Sequence, residues 1–120
     1  YQLALTLEQA NKADKAIEEL LRALQRFPTN VTIKFDLGRL YFNTGKVDEA
    51  ARQFQEIVIL VPNNSNALFS LAVSYERLGR PKKALDNYRR VLDLNPDNAS
   101  IRQKVQELEQ LIQAQENQPS

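Results

Sequence analysis

Apolar residues along the chain return in the same places every 34 residues, with polar residues filling the intervals. Leu3, Leu37 and Leu71 form one such column; Ala4, Gly38 and Ala72 a second; Leu7, Tyr41 and Tyr75 a third. Further along each unit lie the columns Ala16, Ala50 and Ala84, then Leu20, Phe54 and Tyr88, then Ala23, Ile57 and Val91. Pro28, Pro62 and Pro96 share the same spacing and fix the period at 34 residues. A fixed period of this size marks a repeat array, each unit too small to bury its apolar face without a neighbour.

Within a unit the first three columns fall at i, i+1 and i+4, one stripe of an α-helix with a small residue where another helix comes close. Asn11, Gly45 and Gly79 follow that stripe, residue types that tolerate the left-handed conformation ending a helix. A second helix begins two or three residues later, and Pro81 suits its first position through a fixed φ and a missing N–H. The tight turn implies antiparallel packing. The Phe-Pro-Thr-Asn, Val-Pro-Asn-Asn and Asn-Pro-Asp-Asn segments then break the second helix and offer caps to the next first helix.

The pattern predicts an all-α protein of seven helices: antiparallel pairs near 1–10 with 13–26, 31–43 with 47–60 and 65–77 with 81–94, then a single helix near 99–114. That last helix follows from Ile101, Val105, Leu108 and Leu111-Ile112 at helical spacing with no second helix after them, the mark of a terminal cap. The chain divides accordingly into a truncated repeat at 1–30, repeats at 31–64 and 65–98, and the capping helix, one domain over 1–116 with a polar tail at 115–120 expected to fray. Phe54 and Tyr75 are expected in the core, and the ends are expected to open first.

These residues resemble the tetratricopeptide repeat, whose pattern W-x₂-L-G-x₂-Y…A-x₃-F…P reads here as Leu37-Gly38-x₂-Tyr41…Ala50-x₃-Phe54…Pro62 and as Leu71-Ala72-x₂-Tyr75…Ala84-x₃-Tyr88…Pro96. The tryptophan site differs, holding Lys34 and Leu68, and a second-helix site usually small holds Ile57 and Val91. The resemblance implies an α-solenoid wound as a right-handed superhelix, with first helices lining its concave side.

Composition narrows the function. Sixteen basic and fifteen acidic residues leave a net charge of +1, which disfavours a nucleic-acid partner. The longest apolar run, Ile57 to Val61, is far shorter than the ~20 residues of a membrane helix. The chain opens in an amphipathic pattern without an initiator methionine and reads as a segment of something longer. With no cysteine, the compartment stays open. No histidine is present, so the usual general base and metal ligand are missing, and three glycines make no phosphate-cradling loop. No enzymatic activity and no cofactor are expected. Asn30-Val31-Thr32, Asn63-Asn64-Ser65 and Asn98-Ala99-Ser100 match the N-glycosylation acceptor pattern, but the same residue types at recurrent turns are expected as helix caps.

By the resemblance, the chain is a protein-interaction module holding an extended peptide or partner segment in its groove. The lining residues implied are Thr32, Phe35, Asp36, Arg39, Phe42 and Asn43 from one repeat, and Asn66, Phe69, Ser70, Val73, Glu76 and Arg77 from the next. Gln103 and Glu107 would join from the capping helix. The positions matching the family's clamp for a C-terminal carboxylate hold Tyr1, Leu5, Asp36, Asn66 and Ser70, so that clamp is missing, and Asp36 would repel a carboxylate. Phe35 and Phe69, one repeat apart, are the expected anchors, for a ligand with apolar residues at i and i+3 and an acidic residue drawn to Arg39 and Arg77; the other reading is that each ring folds down onto the neighbouring first helix and completes the core. The alternative is a structural segment for spacing or weak self-association, which Ile59 favours because its counterparts Gln25 and Asp93 are polar.

Overall fold

The computed structural model describes the backbone of residues 2–118 and the side chains of residues 9–118. Six helices make up this part of the chain: α1 (Gln2–Arg26), α2 (Val31–Asn43), α3 (Val47–Leu60), α4 (Ser65–Arg77), α5 (Pro81–Leu94) and α6 (Ala99–Glu116). Among the described residues there is no strand. Each helix packs chiefly on its neighbours in sequence, which is the arrangement of a helical solenoid.

Repeat chemistry sets the boundaries. α2 and α4 both end before a glycine in the left-handed region, Gly45 at φ 86° and Gly79 at φ 73°, with the amides of Lys46 and Arg80 returning to the carbonyls of Tyr41 and Tyr75. This closes the helix end and reverses the chain within a few residues. α2, α4 and α6 each begin after an asparagine cap: Asn30, Asn64 and Asn98 accept from the amides of Ile33, Ala67 and Ile101 at 3.0, 3.1 and 3.1 Å. Two of the three glycosylation-type asparagines, Asn30 and Asn98, are therefore caps; in the third triplet the cap is Asn64 rather than Asn63.

The expected first pair, 1–10 with 13–26, is one helix of 25 residues, so there are six helices where the pattern predicts seven. The turn column holds Asn11 here where the later repeats have Gly45 and Gly79. Glu8, Gln9, Ala10, Lys12 and Ala13 around it all favour helix, and no proline stands where Pro81 opens α5. Continuing the hydrogen-bonded ladder then wins over a left-handed turn at a residue with a Cβ.

The core lies between α3, α4, α5 and α6, built of Ala50, Phe54, Ile57, Leu68, Leu71, Ala84, Tyr88, Val91, Ile101, Val105 and Leu108. Gly38 explains its column directly: a Cβ there would stand 2.7 Å from the Phe54 ring, inside van der Waals contact. Tyr75, expected in the core, is only partly buried at its edge. Among the described residues no helix is long and apolar enough to cross a membrane.

Candidate functional site

The first helices α2 and α4 stand side by side, and the side chains between them form a trough. Its centre is an apolar cup of about 170 Å³ lined by Phe35, Arg39, Phe42, Asn43, Phe54, Phe69, Ser70 and Val73. One end continues past Val31, Thr32, Asp36, Asn64 and Asn66; the other runs past Phe42 and Val73 to Glu76 and Arg77. All ten residues expected at the partner site, Thr32, Phe35, Arg39, Phe42, Asn43, Asn66, Phe69, Val73, Glu76 and Arg77, line this trough.

The two repeat-related phenylalanines do two things at once. Phe35 tilts onto Phe54 of α3 with ring centroids 5.6 Å apart, and Phe69 stands edge-on to Tyr88 of α5 at 6.0 Å. Each ring thus leans on the second helix of its own repeat, in geometries that aromatic pairs favour. Phe69 nevertheless keeps 44% of its surface exposed, and Phe35 is half-buried. Both border the same cup, so the structure offers one shared apolar site between them rather than two separate ones.

Phe54, whose column places it in the core, also lines the cup. The signal was present at Gly38: without a side chain there, the ring of Phe54 reaches up against α2.

The charged residues are partly spoken for. Arg39 pairs with Asp36 at 3.5 Å, both groups half-exposed or more, a pair of small energetic value. Glu76 accepts from the Tyr88 hydroxyl and pairs with Lys104 of α6 at 3.1 Å, so it ties three helices together at the end of the trough. Burial first, and the Glu76 carboxylate second, hold the Tyr88 hydroxyl well above its ordinary pKa. Arg77 lies over the Phe42 ring at 5.4 Å, and no carboxylate among the described residues forms an ion pair with it. Gln103 and Glu107, expected from the capping helix, bond to each other at 3.2 Å and line none of the three trough cavities. α6 touches the trough only indirectly, through the ion pair of Lys104 with Glu76. Tyr1 and Leu5, two of the clamp-site positions, lie outside the described side chains.

Among the described residues no group of three acidic, histidine or cysteine side chains is placed to hold a metal ion. The arrangement is an apolar cup with polar ends, suited to receiving a side chain and the backbone beside it.

Comparison with known proteins agrees with this architecture. Curated proteins returned no match. Among solved structures, MamA superposes with a TM-score of 0.78 at 22% identity, covering 88% of this chain and 57% of that one. The first tetratricopeptide domain of Spaghetti (RPAP3), bound to an HSP90 peptide, gives 0.76 at 21% identity over 92% and 88% of the two chains. YrrB, described as a tetratricopeptide protein with an unusual peptide-binding site, gives 0.69 at 25% identity over 87% and 54%. The chain therefore spans less than two thirds of the MamA and YrrB chains. The family model for the tetratricopeptide repeat matches residues 1–65 and again 35–99, and on that match, with the repeat geometry above, the chain belongs to the tetratricopeptide-repeat family.

Proposed function

We propose that this chain is a non-catalytic protein-interaction module that holds an extended segment of a partner protein in the trough between α2 and α4. The observation that carries the reading is the cup: four phenylalanines and a valine around one opening, with Phe69 left 44% exposed beside the buried rings of Phe54 and Tyr88. An empty apolar cavity of about 150 Å³ accepts a benzene ring, so this one has room for a single phenyl or branched aliphatic side chain. Polar groups at both ends, Asn66 with Thr32 and Asn43 with Arg77, would bond the backbone on either side. The peptide-binding site ascribed to YrrB supports peptide recognition by this kind of scaffold.

The ligand is then a segment with one apolar anchor in the cup and an acidic residue near Arg77, a single anchor in place of the two at i and i+3 because Phe35 and Phe69 share one cup. Arg77 is the better attractor than Arg39, since Asp36 already partners the latter. The test is to select binding peptides from a random display library and measure their affinity for the wild type and for Phe69→Ser. Removing a buried ring forfeits about 1.5–3 kcal/mol, a loss of roughly 10- to 100-fold in affinity. Ile59→Ser, on an outer residue 69% exposed, is expected to leave binding unchanged. Equal affinity of Phe69→Ser and wild type, with melting curves alike, would overturn the proposal.

A further inference from the structure

Glu76 and Arg77 line the same end of the trough, and their surroundings give them different parts there. Successive residues of a helix do not face each other, so Glu76 does not neutralise Arg77, whose guanidinium lies over the Phe42 ring at 5.4 Å. Glu76 turns to partners behind the trough instead. Oε1 accepts from the Tyr88 hydroxyl of α5, and Oε2 pairs with Nζ of Lys104 on α6 at 3.1 Å. Each carboxylate oxygen thus has a donor from another helix.

The two donors differ in kind. The Tyr88 hydroxyl supplies a hydrogen bond but no charge, and leaves the carboxylate negative; Lys104 supplies the charge. The side chains of Lys104 and Glu76 are 38% and 27% exposed, so salt and solvent screen this pair less than a pair in open water. Lys104 itself lines none of the three trough cavities. The other ion pairs of α6, Lys82 with Glu116 and Arg89 with Glu109, involve no trough residue. At the opposite end Arg39 and Asp36 satisfy each other. With Lys104 in place, Arg77 is the charge left over along the trough; without it, Glu76 would set a bare carboxylate beside Arg77, with one oxygen open to a donor.

We propose that Lys104 is a specificity-determining residue of the trough: by neutralising Glu76 from behind, it lets Arg77 set a preference for an acidic residue in the ligand. The inference rests on the peptide-binding reading above and adds a residue that does not touch the peptide. Lys104 is a positioning residue that acts through Glu76. It gives α6 a share in recognition although α6 contributes no lining residue to the three cavities.

The test uses two versions of one library-selected binding peptide, one with an aspartate at the Arg77 end and one with asparagine in its place. Wild type is expected to bind the acidic version roughly two- to fivefold more tightly, the range of a partly exposed ion pair. Lys104→Met is expected to abolish that ratio while binding the neutral version as wild type does, and Lys104→Arg to keep it. Glu76→Gln/Lys104→Met, which removes both charges, is expected to restore the ratio. An unchanged ratio in Lys104→Met would overturn the proposal. So would an equal loss of both peptides in that variant, the result of a purely structural ion pair, or a ratio still absent from the double variant. Phe69→Ser separates this claim from the one beneath it, since losing the anchor is expected to weaken both peptides alike. Full binding of both by Phe69→Ser sinks the trough reading and this inference with it, whereas weakened binding there with an unchanged ratio in Lys104→Met sinks this inference alone.

Discussion

Lys34 occupies the column where the family places tryptophan, and its environment shows how a charge fits there. The residue is 7% exposed, its aliphatic stem taking the place that Leu68 fills one repeat later, while Nζ reaches Glu56 on α3 at 2.9 Å. Long cationic side chains bury their stems and keep their heads at a polar boundary in this way. Removing the partner is worse than removing the charge, because an unpaired buried ammonium keeps its desolvation penalty. Glu56→Ala is expected to lower stability by about 1–3 kcal/mol in urea unfolding, and Lys34→Leu to leave it unchanged or raise it; the reverse order would refute this account of the column. At Tyr88 the sign of a pH effect follows from its raised pKa. The unfolded tyrosine loses its proton near pH 10 while the folded one keeps it, so the folded state binds more protons above that pH and stability falls as pH rises further. Tyr88→Phe is expected to flatten that decline, measured as unfolding free energy against pH.

At the scale of the element, the four middle helices were legible from sequence because every one is bounded by residues whose conformation admits few alternatives. Gly45 and Gly79 adopt positive φ in open surroundings, so alanine at Gly79 meets no clash and only the conformational penalty, roughly 1–2 kcal/mol. Asn64→Ala removes the cap bond to Ala67 and is expected to lower stability by a similar ~1 kcal/mol, both read from thermal midpoints. The first repeat departs from the pattern because Asn11 tolerates a left-handed conformation without requiring it. Column reasoning cannot tell permission from necessity. The groove residues were legible for a related reason: a helix side that the core stripe leaves free must face elsewhere. What sequence could not give was the engagement of those residues. Phe35 and Phe69 share one cup, Glu76 is held by Tyr88 and Lys104, and the Asp36 pairing quiets Arg39.

For the whole molecule, stability is a sum of repeats and the interfaces between neighbours. The core cluster runs through α3, α4, α5 and α6 and includes no residue of α1 among those described. Amide hydrogen exchange is expected to find α3 to α5 slowest and α1 fastest; uniform protection along the chain would mean that the repeats do not act as stacked units. The trough spans this gradient, with α4 inside the core cluster and α2 packed against its edge through Phe35 and Phe42. The most direct measurement of the central claim, that this trough holds a partner segment, is a titration of the isotope-labelled protein with a selected peptide, following backbone amide shifts. The account predicts changes concentrated at Thr32, Phe35, Phe42, Phe69, Val73 and Arg77 on the two first helices. Changes clustered instead at the exposed outer residues Phe27, Ile59, Leu60 and Leu94, with the trough amides unmoved, would contradict it.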